Sequence, residues 1–445
     1  MAINPTDLSR PDSPHVGSYW AATAGAEVER TDPIAGDIEV EVAIIGGGYT
    51  GLSTAYHLGR DFGIAAHVLE ANRIAWGCSG RNGGFCSIGI GKEDYGAWVE
   101  RWGADGARAL IGQGVEGVRT VRALLAAEAI EADATPTGAI ELAHKPNRVA
   151  GLHARQQRLE AAGLPCRVLS KAELEQSYLV SREAHGALHL EEGFGLHPLR
   201  YARGLARAAQ RRGAFLHAAS PVTAWGRDGE SHVLVTPGGR VRARQVVIAT
   251  NGYTGDALHP MLDGRLLPVL SNIIVTRPLV DAEREAAGWR TYLKISDSRR
   301  LLFYYRLLPD NRVMFGARGG IHDNPEANQR NKAWMQRRLV QMFPALSGIE
   351  IEFFWRGWVC LAYDRNPHVG TTDDPTVHYA LAYMGSGVAL ATLCGRYLAQ
   401  RVAGGPSDEA GPLLSRPLPR FPLPALRRWY QRAAYAWYGI KDEWL

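Results

Sequence analysis

The sequence predicts an α/β protein with two parts, one built on parallel strands joined by crossover helices and one built on an antiparallel sheet. Two observations predict it. A β-branched run at residues 40–45 leads through a glycine-rich turn into a helical stretch at 52–63 and a second strand at 65–71, which is a βαβ unit. Between residues 291 and 320, aromatic positions alternate with turns in the manner of antiparallel strands.

The remaining elements follow from the spacing of apolar residues. Helices are predicted at residues 107–130, 199–213, 326–342 and 388–404, and again after a proline-rich stretch at 412–424. Strands are predicted at residues 214–218, 232–236, 241–252 and 378–384. Residues 1–37 are polar and contain proline, which predicts an N-terminal arm.

Composition excludes several classes of protein. With 46% hydrophobic and 21% charged residues, the 445-residue chain has the composition of a globular protein that can bury a large core. No long apolar run is present and the first residues, MAINPTDLSRPDSPH, lack the apolar core of a secretory signal, so neither a transmembrane segment nor export is expected. The net charge of +5 is spread along the chain and predicts no nucleic-acid partner.

Cysteine and histidine usage predicts neither a disulfide framework nor a metal site. The five cysteines are irregularly spaced and form no CxxC pair, which indicates a reducing, cytoplasmic location. His185 and His189 are four residues apart but lack a third ligand, and we interpret them as surface histidines.

The glycine-rich turn fits a dinucleotide-binding fingerprint. Gly46, Gly48 and Gly51 form G-x-G-x-x-G directly after a strand and at the start of a helix. In such a Rossmann-like unit the first glycine allows the tight turn, the second lets the backbone approach a pyrophosphate, and the third lets helix and strand pack closely. Glu70 ends the next strand, where an acidic residue accepts ribose hydroxyls. The alternative is a structural glycine turn beside a solvated Glu70.

Several further motifs resemble one family. Besides GGGYTGLS at the turn, they are ANRIAWGCSGRNGGF (71–85), ATNGYT (249–254), YYRLLPDNRVMFGARGG (304–320), WRGWVCLAYDRNPHVG (355–370) and AYMGSGVALATLCGRYLA (382–399). In this order they resemble the D-amino-acid-oxidase superfamily of FAD enzymes over about residues 15–440. The branch is that of γ-glutamylputrescine oxidase and L-pipecolate oxidase, with sarcosine and glycine oxidases as more distant relatives.

The resemblance implies a discontinuous, Rossmann-like FAD-binding domain and an α+β substrate domain with an antiparallel sheet. The FAD-binding domain is expected at residues 38–92, 146–258 and 355–410, and the substrate domain at 93–145 and 259–354. The arm, residues 1–37, precedes them, and a tail with a helix, residues 411–445, follows. Assembly into a homo-oligomer is left open.

The cofactor implied by the resemblance is FAD, held without a covalent bond. Besides the fingerprint residues, those implied to contact it are Thr50, Ala71, Ser79, Arg81, Asn82, Gly83, Gly84, Val222, Thr250, Asn251, Gly252, Gly385, Ser386, Gly387 and Val388. Small residues let the backbone lie against a flat isoalloxazine ring, and a helix N-terminus after the last glycines points its positive end at the pyrimidine edge. Without the resemblance, the same segments are explained as a polar surface loop, an Asn-Gly turn and a glycine-rich connection.

The chain departs from its relatives at a few positions. Relatives often carry S-G-H-G where this chain reads MGSG at 384–387, so the histidine is absent. Two lysines of sarcosine oxidases, one that clamps the substrate carboxylate and one that speeds flavin reoxidation by O2, align with Ala389 and Met314. Cys360 falls near the point of covalent flavin attachment in those enzymes, although a buried apolar cysteine is the favoured interpretation.

The function implied by the resemblance is oxidation of a C–N bond in an amine or amino acid, of the secondary-amine or γ-glutamyl-amine type. A hydride leaves the carbon next to nitrogen for flavin N5, the imine hydrolyses, and O2 is the expected acceptor, which gives H2O2. Arg81 is the candidate for stabilising reduced flavin, Arg318 for anchoring a carboxylate, and Tyr253 for lining the substrate. Tyr304 and Trp358 are interpreted as packing residues.

Three alternatives stay open at this point. A dehydrogenase would pass electrons to a quinone or a protein partner in place of O2. A flavin-bearing binding subunit would not turn over any amine. An NAD-dependent dehydrogenase would be colourless when purified.

Overall fold

The structure, a computed structural model, describes residues 13–91, 95–405 and 411–444, so residues 1–12 of the predicted arm and a few residues of the predicted domains and tail lie outside it. The strands, in chain order, are β1 Ile38–Ile45, β2 Ala66–Leu69, β3 Phe85–Cys86, β4 Ala139–Leu142, β5 Cys166–Leu169, β6 Ala187–Leu190, β7 Phe194–Gly195, β8 Phe215–His217, β9 Ala224–Asp228, β10 Ser231–Thr236, β11 Gly239–Ile248, β12 Leu267–Pro278, β13 Lys294–Asp297, β14 Phe303–Leu307, β15 Arg312–Arg318, β16 Ile351–Leu361, β17 His368–Thr371 and β18 Val377–Leu381. The α-helices are α1 Tyr19–Thr23, α2 Tyr49–Phe62, α3 Tyr95–Ala127, α4 Val149–Ala161, α5 Lys171–Ser177, α6 Pro198–Arg211, α7 Asp281–Ala286, α8 Pro325–Met342, α9 Gly387–Val402, α10 Gly411–Leu414 and α11 Arg427–Glu443. Within these ranges, no helix combines the length and the apolar content that a membrane span requires.

The first sheet contains the predicted βαβ unit. β1 pairs in parallel with β2, and α2 connects them. The strand order is β17-β18-β11-β1-β2-β8, the β17–β18 pair is antiparallel, and the β9–β10 hairpin extends from β11. α2 packs against both α6 and α9. Because β1, β2, β11 and β18 are parallel, their carboxyl ends meet at one edge of this sheet.

Backbone conformation sets element ends that apolar spacing places only roughly. α2 begins before the predicted helix at 52–63, because the glycine turn leads directly into it. β11 stops short of Asn251, whose φ is +42°, and β18 stops before Ala382, whose φ is +68°. Strand pairing needs an extended backbone with negative φ, so each of these residues lies outside its strand.

The second sheet contains the predicted antiparallel strands. β13, β14 and β15 pair antiparallel, as the pattern at residues 291–320 predicts. The strand order is β16-β12-β15-β14-β13-β4-β6-β5, in which β4 and β13 are parallel. Tyr305, Phe315 and Phe343 belong to a separate buried cluster on this sheet. The second sheet also contributes Met314 and Trp355 to the larger buried cluster that includes Val42 and Val68 of the first sheet, so the two sheets share part of their core.

Strand pairing corrects the predicted domain bounds. β5 and β6 pair with each other and β6 pairs with β4, so residues 166–190 belong to the second sheet and not to the FAD-binding segment predicted at 146–258. β16 runs through residue 355, so the bound predicted there would divide a strand of the second sheet. α3, predicted within the substrate segment 93–145, packs against α9 beside the first sheet. Apolar spacing identifies an element but not the sheet that receives it, which is the reason for these errors.

The C-terminal helix α11 docks on the second sheet. Its Asp442 is 3% exposed and accepts hydrogen bonds from the backbone N–H groups of Arg300 and Leu301. At the other end of the helix, Arg428 donates to the carbonyl of Pro268 on β12. These contacts hold the predicted terminal helix against its own chain.

Candidate cofactor and substrate cavity

A cavity of about 1230 Å³ opens at the edge where the parallel strands end. Residues that follow β1, β2, β11 and β18 line one side, and residues of β12, β14, β15 and β16 line the other. Ligands of open α/β sheets bind outside the carboxyl ends of the strands, which is where this cavity lies. We divide it into the turn end at Gly46, Glu70 and Val222, the middle at Gly83, Tyr304 and Arg318, and the far end at Ser87, Glu141 and Lys294.

The glycine turn has the close contacts that its sequence predicts. Gly46 has a φ of +111°, and a Cβ there would lie 2.8 Å from the carbonyl oxygen of Ala249. A Cβ on Gly48 would lie 2.8 Å from Ser79 Oγ, and one on Gly51 would lie 2.0 Å from the carbonyl oxygen of Gly46. The N-cap residue Gly48 has no side chain to cap α2, and Ser79 Oγ accepts a hydrogen bond of 2.9 Å from the N–H of Tyr49. The other N–H groups of the first turn are left for a ligand at the cavity edge.

Glu70 ties the turn to the next strand. Its Oε2 accepts a hydrogen bond of 2.8 Å from the N–H of Gly47, and its Oε1 accepts one of 3.0 Å from the N–H of Asn72. Burial raises the pKa of this carboxyl, and the backbone donors act in the opposite direction. Each carboxylate oxygen has further acceptor capacity, so Glu70 can also accept from ribose hydroxyls. The carboxyl is part of the turn and not the solvated group of the alternative interpretation.

The loop at residues 77–84 forms the wall between the turn end and the middle. Asn82 braces it, because its Nδ2 donates to the carbonyls of Cys78 and Ser79 and its Oδ1 accepts from the N–H of Gly84. A Cβ on Gly83 would lie 2.8 Å from Cε2 of Tyr304. The loop therefore lines the cavity with its backbone, and at Gly83 it lies directly against Tyr304 of the second sheet.

Arg81 is held behind this wall with unused donor capacity. It is 8% exposed, its Nε donates to the carbonyl of Trp76, and its guanidinium lies 4.0 Å from the Trp76 ring centroid and 5.8 Å from that of Tyr253. Within the described parts of the chain its Nη2 has no hydrogen-bond partner. A buried N–H without a partner is costly, so this atom suits an anionic ligand. The described part of the arm covers the same wall, where Trp76 Nε1 donates to the carbonyl of Pro14.

The segment after β18 is strained where it meets the cavity. Ala382, Met384 and Gly385 all have positive φ, of +68°, +52° and +99°. Asn251 holds the segment in place, since its Oδ1 accepts a hydrogen bond from the N–H of Ala382. α9 begins at Gly387 without a side-chain cap, which leaves its N-terminal N–H groups for a ligand. Strained residues of this kind persist where a site requires them.

Arg318 and Tyr304 form the opposite wall of the middle. Arg318 Nη2 donates to the carbonyl of Met384, and burial lowers the pKa of this guanidinium. Arg318 lines the cavity. Tyr304 OH lies 3.1 Å from Ser271 Oγ, and burial raises its pKa to about 12. Tyr304 lines the cavity and is more than the packing residue that was predicted, whereas Trp358 lies outside the lining.

Most of the residues implied by the resemblance line this cavity. They are Gly46, Gly48, Thr50, Glu70, Ala71, Ser79, Arg81, Asn82, Gly83, Val222, Thr250, Asn251, Gly385, Ser386, Gly387 and Val388, together with Tyr253 and Arg318. Gly51, Gly84 and Gly252 pack behind the wall instead. A Cβ on Gly84 would lie 1.9 Å from the carbonyl oxygen of Leu196, and one on Gly252 would lie 2.6 Å from that of Trp358. Gly84 and Gly252 therefore have a packing role, and their contact with the cofactor stays a prediction.

The positions that depart from the relatives differ in their access to the cavity. Cys360 lines it, but the residue is 0% exposed and burial raises the pKa of its thiol, so the reactive thiolate is disfavoured. Met314 is buried, with its Cε 3.3 Å from the point where a Cβ on Gly83 would lie. Ala389 is buried within α9.

Sequence reasoning missed the far end of the cavity. Lys294, Glu141 and Ser87 line it, and no motif marks any of them. Lys294 is 8% exposed, its Nζ lies 2.9 Å from Ser87 Oγ, and burial lowers its pKa to about 8. The available signal was a lysine within a strand-forming run, TYLKIS, since lysine is rarely buried without a reason.

Comparisons with known proteins agree with this geometry. A family model for FAD dependent oxidoreductases matches residues 41–401. The γ-glutamylputrescine oxidoreductase of Escherichia coli strain K12 is 31% identical over 431 residues, which cover 96% of this chain and 98% of that protein. The crystal structure of glycine oxidase from Geobacillus kaustophilus has a TM-score of 0.69 at 21% identity, over 85% of this chain and 99% of the other. An L-amino acid deaminase structure from Proteus vulgaris has a TM-score of 0.71 at 17% identity, over 89% of this chain and 98% of the other.

Proposed function

The chain belongs to the family of FAD dependent oxidoreductases, and from this premise we propose that it oxidises the terminal amine of a γ-glutamyl amine, with O2 as the electron acceptor. More broadly, it is a FAD-dependent enzyme that acts on C–N bonds of amines or amino acids. The proposal depends on one observation: the glycine-turn edge and the wall of Arg318 and Tyr304 belong to the same continuous cavity. The relative with 31% identity is named for γ-glutamylputrescine, which supports the substrate class.

The reaction balances as a two-electron oxidation. The carbon next to nitrogen loses a hydride and the nitrogen loses a proton, which gives an imine. Water then adds to the imine, and ammonia leaves to give an aldehyde. O2 takes up the two electrons and two protons and becomes H2O2.

The residues at the turn end fit FAD, which supplies a hydride acceptor at N5 when bound. We assign the pyrophosphate to the Gly46–Gly48 turn and the N-terminus of α2, and the ribose hydroxyls to Glu70. The backbone at Gly83 and the N-terminus of α9 are assigned to the ring. A positive helix end there would stabilise the negative charge that reduction adds.

Arg318 is assigned to the amine. A hydride can leave only when the nitrogen has a free lone pair, so the amine must react in its neutral form. The positive charge of Arg318 disfavours an ammonium group in the middle of the cavity and thereby favours that form. With an α-amino acid, the same guanidinium would hold the carboxylate instead.

Three further residues shape the middle of the cavity. Tyr304, with its pKa raised to about 12, stays protonated and acts as a wall and not as a base. Arg81 is assigned to the negative charge of the reduced ring, because its Nη2 is buried without a partner among the described residues. Tyr253, which stands beside Arg81, is assigned to the substrate wall.

A dehydrogenase is the second candidate. Met314 occupies the position that aligns with the O2-activating lysine of sarcosine oxidases, and it is buried beside Gly83. A thioether carries no charge, so this chain lacks that electrostatic aid to O2 reduction. Electrons would then pass to a quinone or a protein.

The test is an anaerobic titration of the purified yellow protein with γ-glutamylputrescine, putrescine, sarcosine and glycine, followed by flavin absorbance. We expect γ-glutamylputrescine to bleach the flavin fastest, and aerobic turnover to release one H2O2 for each amine oxidised. Rapid bleaching without aerobic peroxide would establish the dehydrogenase. A flavin that none of the amines bleaches would contradict the proposal and favour the non-catalytic binding subunit.

The cytoplasmic location remains a prediction.

A further inference from the structure

Lys294 is a buried cation at the far end of the cavity, and the proposed chemistry gives it no role. It begins β13, and its Nζ lies 2.9 Å from Ser87 Oγ and 5.8 Å from the centroid of the Phe85 ring. The residue is 8% exposed and lines the cavity. A lysine in this setting loses most of its hydration, and a partner must offset the free-energy cost of burying its charge.

The carboxylates near Lys294 are engaged elsewhere. Glu141 accepts a hydrogen bond of 2.9 Å from Arg155 Nη2, and Glu192 lies 3.4 Å from Arg119 Nη2. Within the described ranges, no carboxylate lies within ion-pair distance of Lys294 Nζ. Burial accordingly lowers the pKa of Lys294 to about 8, although the charge of Glu141 raises it in part. Among the described residues, Lys294 thus has a polar partner in Ser87 but no anionic one.

A chain of contacts connects Lys294 to the middle of the cavity. A Cβ on Gly83 would touch the Tyr304 ring at 2.8 Å, the Tyr304 ring centroid lies 5.5 Å from that of Phe85, and Lys294 Nζ lies 5.8 Å beyond it. Arg318 on β15 and Lys294 on β13 are separated by β14, so they line different parts of one cavity. A short substrate held at Arg318 would leave Lys294 unused, whereas a long one could engage both parts.

We propose that Lys294 and Ser87 bind the carboxylate at the far end of a long amine substrate, whose oxidised nitrogen lies in the middle of the cavity near Arg318. The inference rests on the proposed function and assigns its specificity to one side chain. A carboxylate would give Lys294 an anionic partner that none of the described residues supplies, and it would accept a second hydrogen bond from the Ser87 hydroxyl. Glu141 and Glu192 line the same end, so a head group that also carries an ammonium, as the γ-glutamyl group does, is accommodated.

The test compares two amines that differ at their far ends. γ-Glutamylputrescine carries the carboxylate, and N-acetylputrescine has a neutral acyl group at the same nitrogen. For Lys294→Gln we expect the ratio of their kcat/KM values to fall about 10- to 100-fold, as loss of a charged hydrogen bond predicts. The loss should fall on KM for γ-glutamylputrescine, and Lys294→Arg, which keeps the charge, should restore much of the ratio.

Lys171 provides the matched control. It lies on α5, its side chain is 50% exposed, and its nearest partner is Glu175 at 3.7 Å. Lys171→Gln should leave the ratio unchanged. Flavin content and thermal unfolding of all variants show whether each has folded. If Lys294→Gln slows both amines equally, Lys294 is a structural residue and the inference is wrong.

A binding measurement separates this inference from the proposed function. γ-Glutamyl-n-butylamide has the head group but no terminal amine, so it binds without being oxidised. Calorimetry on the FAD-loaded protein should give a Kd that weakens about 10- to 100-fold in Lys294→Gln. If no amine bleaches the wild-type flavin yet this difference appears, the proposed reaction fails and the carboxylate site stands. If the wild type binds the butylamide no better than Lys294→Gln, the inference is wrong whatever the reaction.

Discussion

The turn end and the far end of the cavity are built in different ways. At the turn end, most of the groups that line the cavity are backbone N–H groups, small residues and Glu70, all from or next to a single βαβ unit. At the far end, they are the charged side chains of Glu141 on β4 and Lys294 on β13 and the hydroxyl of Ser87 in the loop after β3, which are distant in sequence. Backbone recognition depends on the fold and is independent of most side chains. Side-chain recognition can change without altering the fold, which suits the part of a site that selects a substrate.

The two ends also differ in what destabilises them. The segments that reach the cofactor edge contain non-glycine residues with positive φ, namely Asn251, Ala382 and Met384. Each such residue costs on the order of 1–3 kcal/mol. The far end has ordinary backbone but holds a desolvated lysine. The surrounding structure holds the backbone strain at one end in place, whereas the desolvated lysine at the other end can be stabilised by an anionic ligand.

The largest expected effect is on the turn end. In Gly51→Val, a side chain would collide with the carbonyl oxygen of Gly46, since even a Cβ would lie 2.0 Å from it. Overpacking of this kind costs about 3 kcal/mol or more, so we expect FAD affinity to fall more than about 100-fold. Fluorescence titration of the apoprotein with FAD measures it. Gly112→Ala, at a helical site with nothing within 4 Å, is the control and should bind FAD normally. Equal affinity in Gly51→Val and the control would contradict the fingerprint.

The next effect tests whether the middle is catalytic. Arg318→Met removes the guanidinium but keeps an unbranched side chain. We expect the rate of anaerobic flavin reduction to fall about 100-fold, because a charge aimed at the reacting groups is lost. The control is Arg330→Met, which changes an exposed arginine on α8. The two variants should have the same FAD content. An unchanged reduction rate would remove Arg318 from the catalytic machinery.

A smaller effect is expected from pH at the far end. Lys294, with a pKa of about 8, carries its proton below that pH and loses it above. The negative charge of Glu141 favours the charged form of Lys294, whereas burial and the positive charge of Arg155 oppose it. Since only the ammonium form attracts a carboxylate, binding of γ-glutamyl-n-butylamide should weaken about tenfold between pH 7 and pH 9. Calorimetry at both pH values measures it. In Lys294→Arg the pH dependence should disappear, because arginine stays charged; its persistence there would assign the titration to another group.

The smallest expected effect concerns the flavin linkage. Because burial keeps the Cys360 thiol protonated, we expect Cys360→Ala to retain its flavin, and acid precipitation to release yellow cofactor from both proteins. Absorbance of the supernatant measures it. Colour that stays with the wild-type precipitate and is lost only in the variant would establish a covalent bond at Cys360.

The sequence predicted the turn end well because local pattern determines it. Gly46, Gly48, Gly51 and Glu70 lie within one βαβ unit, so their spacing nearly fixes their relative positions. The resemblance added distant segments such as residues 384–387, which apolar spacing alone would have assigned to a plain strand–helix connection. The domain bounds failed for the opposite reason. The spacing of apolar residues at 166–190 does not indicate that the strands there join β4 in the second sheet.

The sequence by itself determined the α/β class, the FAD fingerprint and the family, because these depend on short-range spacing and on motifs in a fixed order. Only the tertiary structure decided which residues line the cavity together. Lys294 and Ser87 are separated by 207 positions, and they meet because β13 and the loop after β3 converge on one cavity. A residue's neighbours across a sheet are set by how whole strands pair, and that information is absent from any local stretch of sequence.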